Sequence, residues 1–210
     1  MPGRRQSDWA SDTKTIHDIA DQLLADLPKQ AIYIGWSIGG MISMSIAARF
    51  PERVERLIGV ATTPKFIAVD DWPTGVKSGF RMPFEDGINK MGFEPFFKQY
   101  CEAEFDYPET RSSAHQAFID LIDQTGNVDL DILYQGIDIS DTTDLREEFK
   151  ALRCPIDLIL GGKDDSIPTS IHSVIETLNP RVNLHIIPDA HHMLPWTHQD
   201  EFKQILHSLL

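Results

Sequence analysis

Cysteine is scarce in this chain: Cys101 and Cys154 are the only two in 210 residues. Two thiols make no disulfide framework, so a reducing compartment is the default and the chain reads as cytoplasmic. Long apolar runs are also lacking, and no stretch approaches the roughly 20 residues that span a bilayer. Arg4-Arg5 has the form of a twin-arginine signal, but Gln6 to Thr15 is polar and no apolar segment follows. Cations are few: 19 Lys and Arg stand against 32 Asp and Glu, a formal net charge of −13. That balance disfavours nucleic acid and anionic membrane surfaces as partners. It leaves an acidic protein partner open, since a local basic patch would serve. Internal repeats and low-complexity tracts are absent. A mean hydropathy of −0.23 fits a soluble globular protein, and the length suffices for one domain with a real core.

What is present begins with Gly35-Trp36-Ser37-Ile38-Gly39. The β-prone run Ala31 to Ile34 leads into this Gly-x-Ser-x-Gly pentapeptide, and the apolar segment Gly40 to Phe50 leads out and stops at Pro51. Strand, sharp turn and helix are the setting of a nucleophile elbow. The spacing predicts that Ser37 sits at a strand end and a helix N-terminus, where unpaired N–H groups favour developing negative charge. Both glycines are expected to be required because a Cβ on either side of the serine would clash.

Along the chain, Ile16, Ile19, Ala20, Leu23 and Leu24 predict a helix within Asp12 to Asp26, with Asp12 or Thr13 as N-cap. Arg56 to Val60 reads as a buried strand. Pro64 to Lys150 changes character: aromatic and charged residues dominate, helical spacings recur and strand signals are few. It reads as a helical insertion. Strand logic resumes with Ile156 to Leu160, then a helix over Thr169 to Leu178, a strand over Val182 to Ile187 and a closing helix from Gln199. Alternating strands and helices predict an α/β fold with a mostly parallel sheet and flanking helices. The expected organisation is a first core segment over 1–63, a helical lid over 64–150 and a second core segment over 151–210.

A serine hydroxyl is a poor nucleophile unless a base removes its proton and a carboxylate orients that base. Asp164 follows the strand Ile156 to Leu160 in Gly161-Gly162-Lys163-Asp164-Asp165-Ser166-Ile167-Pro168. Catalytic groups gather at such strand ends in open α/β sheets. The competing reading of Asp164 is an Asx-turn or helix cap before Pro168, and Asp165 is its neighbouring rival. The base candidate is His192 in Pro188-Asp189-Ala190-His191-His192-Met193-Leu194-Pro195-Trp196, with His191 as the alternative. The two histidines lack the spacing of a metal site. Serine hydrolysis of this kind needs no metal or organic cofactor.

These residues resemble the α/β-hydrolase superfamily. Within it the chain is similar to the pimeloyl-[acyl-carrier-protein] methyl ester esterases of biotin synthesis. The similarity lies in Gly-Trp-Ser-Ile-Gly-Gly at 35–40, Phe50-Pro51-Glu52-Arg53-Val54, Ala61 to Phe66, Asp70-Asp71-Trp72-Pro73, Asp144-Leu145-Arg146 and Ala190 to Phe202. Leu194-Pro195-Trp196 keeps the family's spacing from His192 and so marks it, rather than His191, as the base. The resemblance implies a triad of Ser37, Asp164 and His192, with the Ile38 N–H as an oxyanion donor. It also implies a lid that holds the acyl chain and receives acyl-carrier protein.

Trp36, Ile38, Phe96, Phe97 and Tyr100 are the expected substrate-binding residues. The lid cations Lys65, Lys77, Arg81, Lys90, Lys98 and Arg111 are candidates for meeting the acidic carrier. Met1 to Ser7 resembles the family's Asp-x-Pro-Gly-x-Gly-x-Ser loop entered one residue late. On that reading the fold is N-terminally truncated, with the early strands and a His-Gly loop carrying a second oxyanion donor before Met1. A general short-chain carboxylesterase, a non-catalytic binding protein on the same scaffold, and a lyase or haloperoxidase are the alternatives.

Overall fold

The computed structural model describes residues 10, 12–104, 120 and 128–210. Met1 to Ser7, Arg111 and the stretches 105–119 and 121–127 of the expected lid lie outside the described residues. Four strands, β1 (Ala31–Trp36), β2 (Val54–Val60), β3 (Ile156–Gly161) and β4 (Val182–Ile187), form one parallel sheet in the order β1-β2-β3-β4. Two of the crossovers carry one main helix each: α2 (Ile38–Arg49) links β1 to β2, and α7 (His172–Leu178) links β3 to β4. The β2–β3 crossover holds α3 (Arg81–Met91), α4 (Phe93–Glu104), α5 (Leu130–Thr142) and α6 (Arg146–Ala151). Parallel strands cannot be joined by tight turns, so every connection must cross a face of the sheet.

The two-residue period of the strands divides their side chains between two cores. On one face Leu57, Ile156, Leu158 and Leu160 pack against α1 (Ile16–Leu24), α2, α6 and α7. On the other, Ile58, Val60 and Ile159 meet Phe202, Ile205, Leu206 and Leu209 of the closing helix α9 (Gln199–Leu209), which a short helix, α8 (Leu194–Thr197), precedes. Every residue of β3 is buried, as befits a central strand covered on both sides. Helix α2 is buried from Gly40 through Ala47, matching its apolar character on most faces.

One expectation needs correction. The N-cap of α1 is Thr15, not Asp12 or Thr13. Thr15 and Asp18 form a reciprocal capping box, whereas the Thr13 hydroxyl is buried and donates to the Ala10 carbonyl oxygen at 2.7 Å. The two ends of the stretch between β2 and β3 and its middle pack differently. Phe66, Trp72, Leu145 and Phe149 belong to the main core, while Phe84, Ile88 and Leu133 form a separate cluster among α3, α4 and α5.

Both ends of the insertion are tied together by ions. Arg146 grips Asp144 through two guanidinium nitrogens (2.9 and 2.7 Å), reaches Asp71 at 3.0 Å, and lies over the Trp72 ring. The buried Lys65 adds a 3.2 Å contact to Asp144. The Arg146 guanidinium, helped by Lys65, holds the Asp144 carboxyl down at about 2. Among the described residues no helix is long and apolar enough to cross a membrane.

Candidate active site

Ser37 occupies the junction of β1 and α2 with φ 54° and ψ −124°. A positive φ at a non-glycine residue costs about 1–3 kcal/mol and persists only where the surroundings over-determine it. Here the Ser37 N–H donates to the Val60 carbonyl oxygen at 2.9 Å, and the Ser37 carbonyl oxygen accepts from the Thr62 hydroxyl at 2.7 Å. The glycines around it are not equivalent. A Cβ on Gly35 would run into the Gly39 carbonyl, and one on Gly40 would strike the Thr62 side chain. A Cβ on Gly39 would meet nothing within 4 Å among the described residues. The crowded positions are therefore 35 and 40, not 35 and 39 as the motif suggested.

The loops after β3 and β4 lie side by side. Gly162 N–H donates to the Ile187 carbonyl oxygen at 2.8 Å, and Lys163 N–H to that of Ala190 at 2.9 Å. This pairing brings Asp164 beside His192. His192 Nδ1 lies 3.0 Å from Asp164 Oδ2, and His192 Nε2 lies 3.0 Å from Ser37 Oγ. Asp164 is 3% exposed and His192 7% exposed, so the contacts are shielded from water. His192, not His191, makes them. The two readings of Asp164 turn out to be compatible, because its other oxygen, Oδ1, accepts from Ser166 N–H at 2.8 Å and Ile167 N–H at 2.9 Å. Asp165 is exposed and contributes neither cap bond.

Trp36 sits behind the histidine. Its Nε1 donates to the His192 carbonyl oxygen at 3.0 Å, and its ring lies 5.3 Å from the imidazole and 5.1 Å from Trp196. Ile38 opens α2 directly after Ser37, so its N–H has no partner within the helix.

A cavity of about 220 Å³ opens onto Ser37 and His192. Ile38 and Tyr100 line it as expected; Trp36, Phe96 and Phe97 do not. Phe96 packs instead on Phe84 (5.1 Å) and covers Gly87 in the core of the insertion, whereas Phe97 stacks on Phe93 (5.3 Å) and also packs against Met193 of the histidine loop. Phe66, Phe80, Phe84, Leu133, Gly136 and Ile137 are wall residues that sequence reasoning did not single out. The sequence alone does not say which apolar helix face meets a cavity. No Asp, Glu, Lys or Arg lines the cavity among the described residues.

The lid cations divide. Lys65 pairs with Asp144, Arg81 with Asp138 and Glu85, and Lys98 with Glu94. Lys77 and Lys90 are exposed.

A serine on a strained strand–helix turn, backed by an imidazole and a buried carboxylate from later strand ends, is the arrangement of an α/β-fold hydrolase. The chain belongs to the alpha/beta hydrolase family, whose model matches residues 2–205. Its fold is that of an esterase (EaEST) from Exiguobacterium antarcticum: 19% identity, 99% of this chain and 78% of that one, TM-score 0.81. A bromoperoxidase from Bacillus anthracis is similar over 98% of this chain and 78% of its own, at 20% identity and TM-score 0.83. An enol-lactonase from Burkholderia xenovorans LB400 is similar over 99% and 77%, at 16% identity and TM-score 0.79. At these identities the likeness is one of fold.

Proposed function

We propose that this chain is a serine carboxylesterase acting in the cytoplasm, and that its substrate is the methyl ester of a pimeloyl chain carried by acyl-carrier protein, in biotin synthesis. One observation carries the esterase reading: the continuous Asp164–His192–Ser37 hydrogen-bond relay opening on an apolar cavity. His192 Nε2 takes the Ser37 proton as Oγ attacks the ester carbonyl. Asp164 fixes the imidazole tautomer and stabilises the imidazolium. The Ile38 N–H donates to the oxyanion. Collapse breaks the bond to the alkoxy oxygen, and His192 returns the proton so that methanol leaves. Water, deprotonated by His192, then attacks the acyl-enzyme and releases the carboxylic acid and free Ser37.

The uncharged cavity wall supports an uncharged reacting end, as a methyl ester provides and a free carboxylate does not. The pimeloyl and carrier-protein parts rest on the sequence resemblance. Lys77 and Lys90 are the exposed lid cations an acidic carrier would meet. The pairing of Lys65, Arg81 and Lys98 within the chain favours a second reading, a carboxylesterase for free short-chain esters. Ser37→Ala should abolish hydrolysis of p-nitrophenyl butyrate, and retained activity would refute the esterase reading. Turnover of carrier-bound ester that falls with salt, while turnover of the free ester does not, supports the carrier. Equal salt response supports the free-ester reading.

A further inference from the structure

Helix α5 presents Leu133, Gly136, Ile137 and Ser140 to the cavity, a stripe at the i, i+3, i+4, i+7 spacing of one helix face. Gly136 is the anomaly in it. It lies in the helix interior, where glycine is the least favourable residue after proline. Close packing does not account for it, because a Cβ at 136 would meet nothing within 4 Å among the described residues. Gly87 in α3 is the contrast: a Cβ there would run into the Phe96 ring, so packing alone explains that glycine. Gly136 lines the cavity, and among the described residues the space beside its Cα on that helix is open.

We propose that Gly136 is a specificity-determining residue: its missing side chain makes room for the acyl chain attached to Ser37, and it sets the longest acyl group the site accepts. The proposal rests on the ester-hydrolase reading and deepens it. After the alcohol leaves, the acyl chain stays bonded to Ser37 until water arrives. Phe84 and Tyr100, which also line the cavity, supply apolar surface for it. A side chain at 136 would occupy volume that a long chain needs and a short one does not. The substrate class this assigns is an ester with an unbranched, uncharged apolar acyl segment.

The test is the acyl-length profile of wild type, Gly136→Ala and Gly136→Leu on p-nitrophenyl acetate, butyrate, hexanoate and octanoate. Ala and Leu are both strong helix formers, so neither change weakens α5. Gly136→Ala should raise Tm by roughly 2–4 °C. Gly136→Leu should lower the ratio of kcat/KM for octanoate to that for acetate at least about tenfold, the scale of a lost methylene subsite. A uniform loss across all four esters, or an unchanged profile, would overturn the role of Gly136.

A binding readout separates this from the esterase reading itself. Octanamide and butanamide are uncharged, unreactive stand-ins for the ester, and their stabilisation of the protein is read as a shift in Tm. Gly136→Leu should abolish the octanamide shift and keep that of butanamide. If both shifts survive, Gly136 does not limit the cavity. Absence of hydrolysis by wild type, by contrast, would count against the esterase reading alone.

Discussion

Asp164→Asn is expected to keep the fold and remove nearly all activity. The two oxygens of Asp164 have different duties. Oδ1 accepts from the N–H groups of Ser166 and Ile167, and Oδ2 faces His192 Nδ1. An asparagine must place one oxygen and one NH₂ in those positions. With the NH₂ toward the two backbone donors, both would be buried without an acceptor, at about 1–3 kcal/mol each, or about 2–6 kcal/mol together. With the NH₂ toward His192, the imidazole need only adopt the other tautomer, so this orientation wins. Nδ1 then accepts, the proton sits on Nε2, and Nε2 cannot take the proton of Ser37. The loss expected from such a wrong tautomer is about 10⁴-fold in kcat, or roughly 5.5 kcal/mol of transition-state stabilisation. Initial rates on p-nitrophenyl butyrate, with Tm measured alongside, give the answer. Asp164→Ala should be equally inactive but lower in Tm, because it also strips the loop of its acceptor. An Asp164→Asn enzyme within tenfold of wild type would refute the reasoning.

Other consequences can be checked as directly. Gly35→Ala forces a Cβ into the Gly39 carbonyl and should destabilise by about 1–3 kcal/mol or more, whereas Gly39→Ala should leave Tm nearly unchanged in thermal unfolding. Trp36→Phe keeps a ring against His192 but loses the bond to its carbonyl, so kcat should fall several-fold with KM little changed in steady-state kinetics. Phe149, fully buried in the main core, should cost about 3–5 kcal/mol on truncation to Ala, read from urea unfolding. Asp144 has a pKa depressed from 3.8 to about 2, so its contribution to stability is complete above pH 4 and is lost as the pH falls toward 2. Asp144→Asn should therefore flatten acid unfolding in that window and lower stability at neutral pH.

The parts of the site that the sequence made legible are those set by chain order. Ser37, Asp164 and His192 each follow a recognisable strand, and a parallel sheet delivers all such strand ends to one rim. The choice between an Asx-turn and an orienting carboxylate could not be made for Asp164 from residue type, since the two use different oxygens of one group. Side-chain direction was less legible. Phe96, Phe97 and Tyr100 share a helical spacing, yet only Tyr100 reaches the cavity: Phe96 is taken up by Phe84 and Gly87 of α3, and Phe97 by Phe93 and Met193. Trp36 neighbours the nucleophile in sequence, but a strand sends alternate residues to opposite faces, and residue 36 lands against the histidine loop. Gly136 left no signal, since the absence of a side chain speaks only when its surroundings are known. The Lys65–Asp144–Arg146–Asp71 ties were visible as residues but not as partners, because their segments lie more than seventy positions apart in part.

Labelling by a fluorophosphonate probe, followed by peptide mapping, measures the central claim most directly. An activated serine at position 37 should carry the label in the wild-type chain and lose it in His192→Ala. A wild-type chain that stays unlabelled, or one labelled at another residue, would contradict the account.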